Sequence, residues 1–163
     1  MLNVLRGENR FGFRGQLTLD FPLCILAYHQ PKSFNDNSIV RISNDWLKQA
    51  NSKNYHHFFP KAYLSKHGVE DFYANHIANI TIVDDYLNKR VIGAKAPSQY
   101  MRTFAKHNEC LSETMKTHLI VNLDKFGIWT NDYFAFFKAR ITVFHKELKK
   151  RICTTDNVII NQE

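Results

Sequence analysis

Two short strand-forming runs, each closed by a residue that interrupts regular structure, constrain this chain more than any other feature. The first, Tyr55-His56-His57-Phe58-Phe59, is aromatic and stops at Pro60, which has no N–H to continue a ladder. The second, Ile80-Thr81-Ile82-Val83, is largely β-branched and stops at Asp84-Asp85. Either aspartate can cap a helix carrying Leu87 and Asn88. Between the two runs, residues 61–67 read as a helix with Gly68 as its stop. The pattern predicts strand, loop, strand and helix, in that order, within residues 55–92.

Most of the remaining sequence has helical spacing. Asp20 and Pro22 form a cap followed by a first-turn proline, opening a helix that buries Leu23, Leu26 and Ala27 and stops before Pro31. Residues 1–13 read as an irregular or partly helical lead-in, and 33–38 as a polar loop. Ser43-Asn44-Asp45 can cap a short helix with Trp46, Leu47 and Ala50. Pro97 opens a segment carrying Tyr100, Met101 and Phe104, and another runs through Cys110, Leu111, Met115 and Leu119. The clearest helix starts at Asn131 or Asp132 and repeats Tyr133, Phe137, Ile141, Phe144 and Leu148 at threes and fours. Its end, Lys149-Lys150-Arg151, complements the helix dipole. The fold class expected is α+β, mostly helical, with a small two-strand core surrounded by helices.

At 163 residues, without internal repeats, the chain fits one domain that can bury a core without staples. Cys24, Cys110 and Cys153 are odd in number and far apart, with no Cys-x-x-Cys pair. That usage, with no signal sequence and no apolar run of membrane-spanning length, predicts a cytoplasmic protein that does not engage a membrane. The net charge of +7 favours polyanions as partners.

The chemistry-bearing residues lie in the strand–strand–helix segment. Imidazole can hold a metal or move a proton near neutral pH, and His56 and His57 are adjacent at the end of the first run. Asn79 precedes the second run and Asn88 follows it. The strings His56-His57-Phe58-Phe59-Pro60-Lys61-Ala62-Tyr63-Leu64, Ile77-Ala78-Asn79-Ile80-Thr81, Leu87-Asn88 and Lys95-Ala96-Pro97-Ser98-Gln99-Tyr100, in that order, resemble the HNH (His-Me finger) domain at the C-terminal end of GmrSD-type modification-dependent restriction enzymes. The resemblance covers residues 55–100 closely and the flanking helices more loosely.

The resemblance implies a ββα-metal core at about residues 55–92, and a DNA endonuclease working in restriction or phage defence. In that arrangement His57 is the general base that deprotonates the attacking water, and Asn79 belongs to the catalytic set by orienting it. His56 and Asn88 are the metal ligands, and Lys61 and Lys95 are weaker candidates for phosphate contact. The cofactor implied is one divalent ion, magnesium or manganese first, with nickel or zinc as alternatives. Relatives often carry a carboxylate where His56 stands, and the last histidine of the family's name is Asn88 here. Imidazole without a carboxylate shifts preference from magnesium towards softer ions. The family also implies DNA as partner, together with an N-terminal nucleotide-hydrolysing module or partner domain, so the chain is expected to be the C-terminal part of a longer protein.

Two other functions fit the same residues. One is a nucleic-acid-binding module with weak catalysis, and the other is a helical protein-interaction domain whose His-Asn motif is structural. His29, His67, His76, His107, His118 and His145 belong to no matching motif and read as structural or surface residues. Asp84 and Asp85 read as caps.

Overall fold

The computed structural model describes residues 17–40, 55–84 and 86–152. The readings made for residues 1–13 and 43–50, Asp85 and Cys153 lie outside the described residues. Within them the protein is mostly helical, with one small antiparallel sheet, an α+β arrangement. Helix α1 is Leu17–Tyr28, so it begins upstream of the Asp20–Pro22 pair expected to open it. Pro22 therefore sits beyond the first turn, where its missing N–H removes one backbone bond. Two residues past the end of the helix, Gln30 has a positive φ of 49° that turns the chain out before Pro31.

Strand β1 is Tyr55–His57, shorter than the aromatic run predicts, and β2 is Ile80–Ile82. They pair antiparallel with Tyr55 opposite Ile82, His56 opposite Thr81 and His57 opposite Ile80. The strand stops at His57 because Phe58 and Phe59 turn inward instead of alternating. Both are buried, and Phe58 stacks on Phe136 at 4.8 Å between ring centroids. Phe59 packs against Tyr133 and Phe136. Burying each phenylalanine is worth roughly 1.5–3 kcal/mol, which outweighs the ladder bonds another pleat would add.

Between the strands lie α2 (Lys61–Lys66), the short α3 (Asp71–Ala74) and a single tight turn, Ile77–Asn79. Gly68 ends α2 region with φ +72°, as its position after the helical run predicts. After β2, the Asp84 carboxylate accepts the Leu87 N–H at 2.9 Å, which confirms the cap expected there. The helix that follows, Leu87–Ile92, is wide, and Gly93 N–H closes back on the Asn88 carbonyl at 2.7 Å. That is a five-residue hydrogen-bond step, the π-helical spacing. Gly93 itself has φ +53°, a conformation that favours glycine.

Helices α4 (Pro97–His107), α5 (Leu111–Thr117) and α6 (Tyr133–Ile152) complete the fold. Pro97 has no N–H to be capped, and the Ser98 N–H is satisfied across the fold by Asn131 Oδ1 at 2.9 Å. Asp132 caps α6 by accepting the Ala135 N–H at 2.9 Å. The main core gathers Phe58, Phe59, Leu64, Leu87, Ile92, Tyr100, Phe104 and Phe136, so both strands' loops and every later helix share it. A smaller cluster joins Ile25 and Leu26 of α1 to Ile82, Leu119 and Phe144.

The α6 stripe includes one residue that hydrophobic spacing could not reveal. Arg140 is fully buried and lies on the same face as Tyr133, Phe136, Phe137 and Phe144. Its guanidinium donates to the His118 carbonyl at 2.9 and 3.2 Å and to the Ala78 carbonyl at 3.0 Å. It also sits over the Phe136 and Phe144 rings at 5.7 and 5.5 Å. Burial pulls its pKa down to about 9, so the group remains protonated at neutral pH. Arg140 thereby fixes the turn that delivers Asn79 and β2.

Candidate functional site

Of the sequence-selected residues, His56 and His57 lie on β1 and Asn79 in the turn before β2, while Asn88 lies on the helix after β2. His56 lies mid-strand and is buried, whereas Tyr55 and His57 on either side of it are half-buried. Successive strand residues leave on opposite faces. The two imidazoles therefore do not form a side-by-side chelate. His56 shares a face with its cross-strand partner Thr81, while His57 is directed to the other face at the strand's last position.

His57 has a defined partner. Its Nε2 lies 3.1 Å from Asn75 Oδ1. Burial pushes its pKa below the ordinary histidine value, the Asn75 bond works in the opposite direction, and the charge of Lys61 adds to the lowering. The neutral imidazole is therefore favoured near pH 7, the form a proton acceptor needs.

Asn79 acts on the backbone around His57 rather than on its ring. It is fully buried, and its Oδ1 accepts the Phe59 N–H at 2.8 Å. Its Nδ2 donates to the Phe59 and Ala74 carbonyls at 3.0 and 2.9 Å. The Asn79 carbonyl also accepts the Phe58 N–H at 2.7 Å. From the other side the Tyr100 hydroxyl donates to the Phe58 carbonyl at 2.5 Å. The two residues that follow His57 are thus held through four backbone groups, and His57 is positioned by its own chain.

Asn88 lies in the wide helix after β2. Leu87 and Ile92 anchor that helix in the core, Asn88 is half-buried, and Lys89 and Arg90 are exposed. The Asn88 side-chain amide makes no hydrogen bond to another described residue, so its oxygen is available to an outside partner. Of the two lysines expected at phosphate, Lys61 pairs with Asp71 at 3.1 Å. Lys95 donates to the Val91 carbonyl at 2.7 Å and finishes the helix end. Both remain exposed, and both have local partners.

On the His56 face, His118 is fully buried, although it reads as an ordinary structural or surface residue in the sequence. It donates from Nε2 to the Lys32 carbonyl at 2.8 Å, and its Nδ1 accepts from Thr81 Oγ1 at 2.8 Å. Burial, reinforced by Arg140, lowers its pKa to about 3 against the opposing Lys32 bond, so it is a neutral structural histidine. Sequence reading also passed over Asn75 and Tyr100 as site-shaping residues. Neither stands in a recognisable spacing, because each reaches His57 or Phe58 through tertiary packing.

Among the described residues no three His, Cys, Asp or Glu side chains cluster as a metal site. No helix among them is long and apolar enough to cross a membrane. Comparison with protein families, with curated proteins and with solved structures finds no match to this chain.

Proposed function

We propose that this chain is a metal-dependent DNA endonuclease of the HNH class. The observation that carries the reading is His57, a half-buried imidazole with a lowered pKa, anchored at the end of β1 by one ring nitrogen. The antiparallel pair around it leads directly into the helix bearing Asn88. This order matches what the resemblance to GmrSD-type C-terminal domains implies, and the net charge of +7 suits a phosphodiester substrate.

In the proposed reaction His57 takes a proton from water as the water oxygen attacks phosphorus. The bond between phosphorus and the 3′ oxygen breaks, and solvent protonates the leaving oxygen. The resemblance makes His56 and Asn88 the ligands of the divalent ion, although His56 is buried on the strand face opposite His57 and no three His, Cys, Asp or Glu side chains cluster among the described residues. The donors of His56 and Asn88 suit such an ion in kind, since a neutral imidazole and an amide oxygen leave positions for water and phosphate. When bound, the ion stabilises charge on the phosphate and the departing oxygen. Lys89 and Arg90, exposed beside Asn88, would join Lys61 and Lys95 as contacts to the DNA backbone.

Supercoiled-plasmid nicking by the purified chain, run with magnesium, manganese, nickel or zinc and with chelator, tests this reading. The expected result is nicking that a chelator abolishes, with manganese or nickel exceeding magnesium because no carboxylate is among the expected ligands. Salt-sensitive DNA binding without cleavage in any metal would replace this reading with that of a binding module. Absence of both would leave the helical interaction domain.

A further inference from the structure

We propose that Asn75 is a positioning residue for His57: its amide oxygen holds the ring so that Nε2 carries the hydrogen and Nδ1 is the proton-accepting atom. The inference rests on the reading of His57 as a base, and it names the atom that acts. Asn75 follows α3, and its side-chain Nδ2 donates to the Asp71 carbonyl at 2.9 Å. A carbonyl can only accept, so this bond fixes which end of the amide is nitrogen. The oxygen is then the end presented to His57 Nε2, at 3.1 Å. An amide oxygen can only accept as well, so Nε2 must donate.

The other ring nitrogen follows by elimination. In a neutral imidazole with its hydrogen on Nε2, Nδ1 carries the lone pair. His57 Nδ1 makes no hydrogen bond to another described residue. The ring is half-buried, which leaves that atom reachable by water. The backbone clamp from Asn79 sets where the ring is attached, and Asn75 sets how it is turned. The two contacts are independent, because Asn79 bonds to Phe59 and Ala74 while Asn75 bonds to the ring and to Asp71. Asn75 is exposed at a helix end, so its replacement is compatible with folding.

The test pairs a spectroscopic readout with kinetics. In ¹⁵N-labelled protein at pH 8, long-range proton–nitrogen correlation is expected to show His57 as a single Nε2–H tautomer with a slowly exchanging ring proton. In Asn75→Ala that proton is expected to exchange rapidly. Asn75→Asp, which keeps an acceptor for Nε2–H but loses the donor to the Asp71 carbonyl, is expected to recover the slow exchange in part. Metal-supported nicking is expected to lose about 10- to 100-fold in kcat in Asn75→Ala with KM little changed, and to be partly rescued in Asn75→Asp. A His57 proton that exchanges equally fast in wild type and Asn75→Ala overturns the proposal, as does an unchanged kcat in Asn75→Ala where His57→Ala is inactive. If His57→Ala nicks as wild type does, the nuclease reading fails, while the exchange measurement still decides whether Asn75 holds the ring.

Discussion

At the scale of single residues, the site depends on two asparagines with different tasks. Asn79 satisfies buried backbone groups on Phe59 and Ala74, so it defines where the chain goes after His57. Replacing it with alanine strands one N–H and two carbonyl groups in the core. Unsatisfied buried groups cost roughly 1–3 kcal/mol each before local relaxation. Asn79→Ala is therefore expected to lose about 2–4 kcal/mol in urea unfolding. A loss within experimental error would show that water replaces the amide without penalty. The resemblance assigns Asn79 to orienting the proposed base, and the bonds Asn79 makes are to the backbone beyond His57 and to Ala74, not to the His57 ring. Asn75, which touches the ring, was invisible in the sequence because its contact spans α2 and α3 and follows no local spacing. Arg140 was hidden for a related reason: an arginine on an apolar helix face reads as an interruption until the carbonyls it satisfies are known.

At the scale of elements, the hairpin is held from behind by a polar network connecting the loop at Lys32, strand β2 and the turn after α5. Its centre is His118, which is neutral and buried with its pKa lowered to about 3. The unfolded chain returns that imidazole to its ordinary value near 6.5, so between these limits the unfolded state binds more protons. The stabilisation is complete above pH 6.5 and is lost as pH falls towards 3. His118 adds to the slope by at most roughly 1.4 kcal/mol per pH unit. His29, His57 and His76, also lowered by burial, act in the same direction. Urea unfolding of wild type between pH 6.5 and 5 is expected to show falling stability, with a shallower slope in His118→Asn. Equal slopes would place the titrating groups elsewhere. The elements themselves were largely legible: both strands, the Asp84 cap, Gly68, Pro97 and the α6 stripe follow from local rules. Strand length was not, because the inward turn of Phe58 and Phe59 depends on α6 lying across them.

For the whole molecule, one core ties the hairpin, its connecting helices and α4 to α6 into a frame around the end of β1. The frame presents His57 on one face of the strand and His56 on the other, which separates the proposed base from the proposed ligand. It also places Asn88 on the element that follows β2 directly. The central claim is that His57 moves the proton in phosphodiester cleavage. It is tested most directly by comparing single-turnover plasmid nicking by wild type and His57→Ala, in the metal that best supports wild type. Thermal unfolding of both proteins serves as the folding control. The account predicts a loss of at least about 100-fold in the variant, with the two melting temperatures close because His57 is half-buried at a strand end. Equal nicking by the two folded proteins would contradict it.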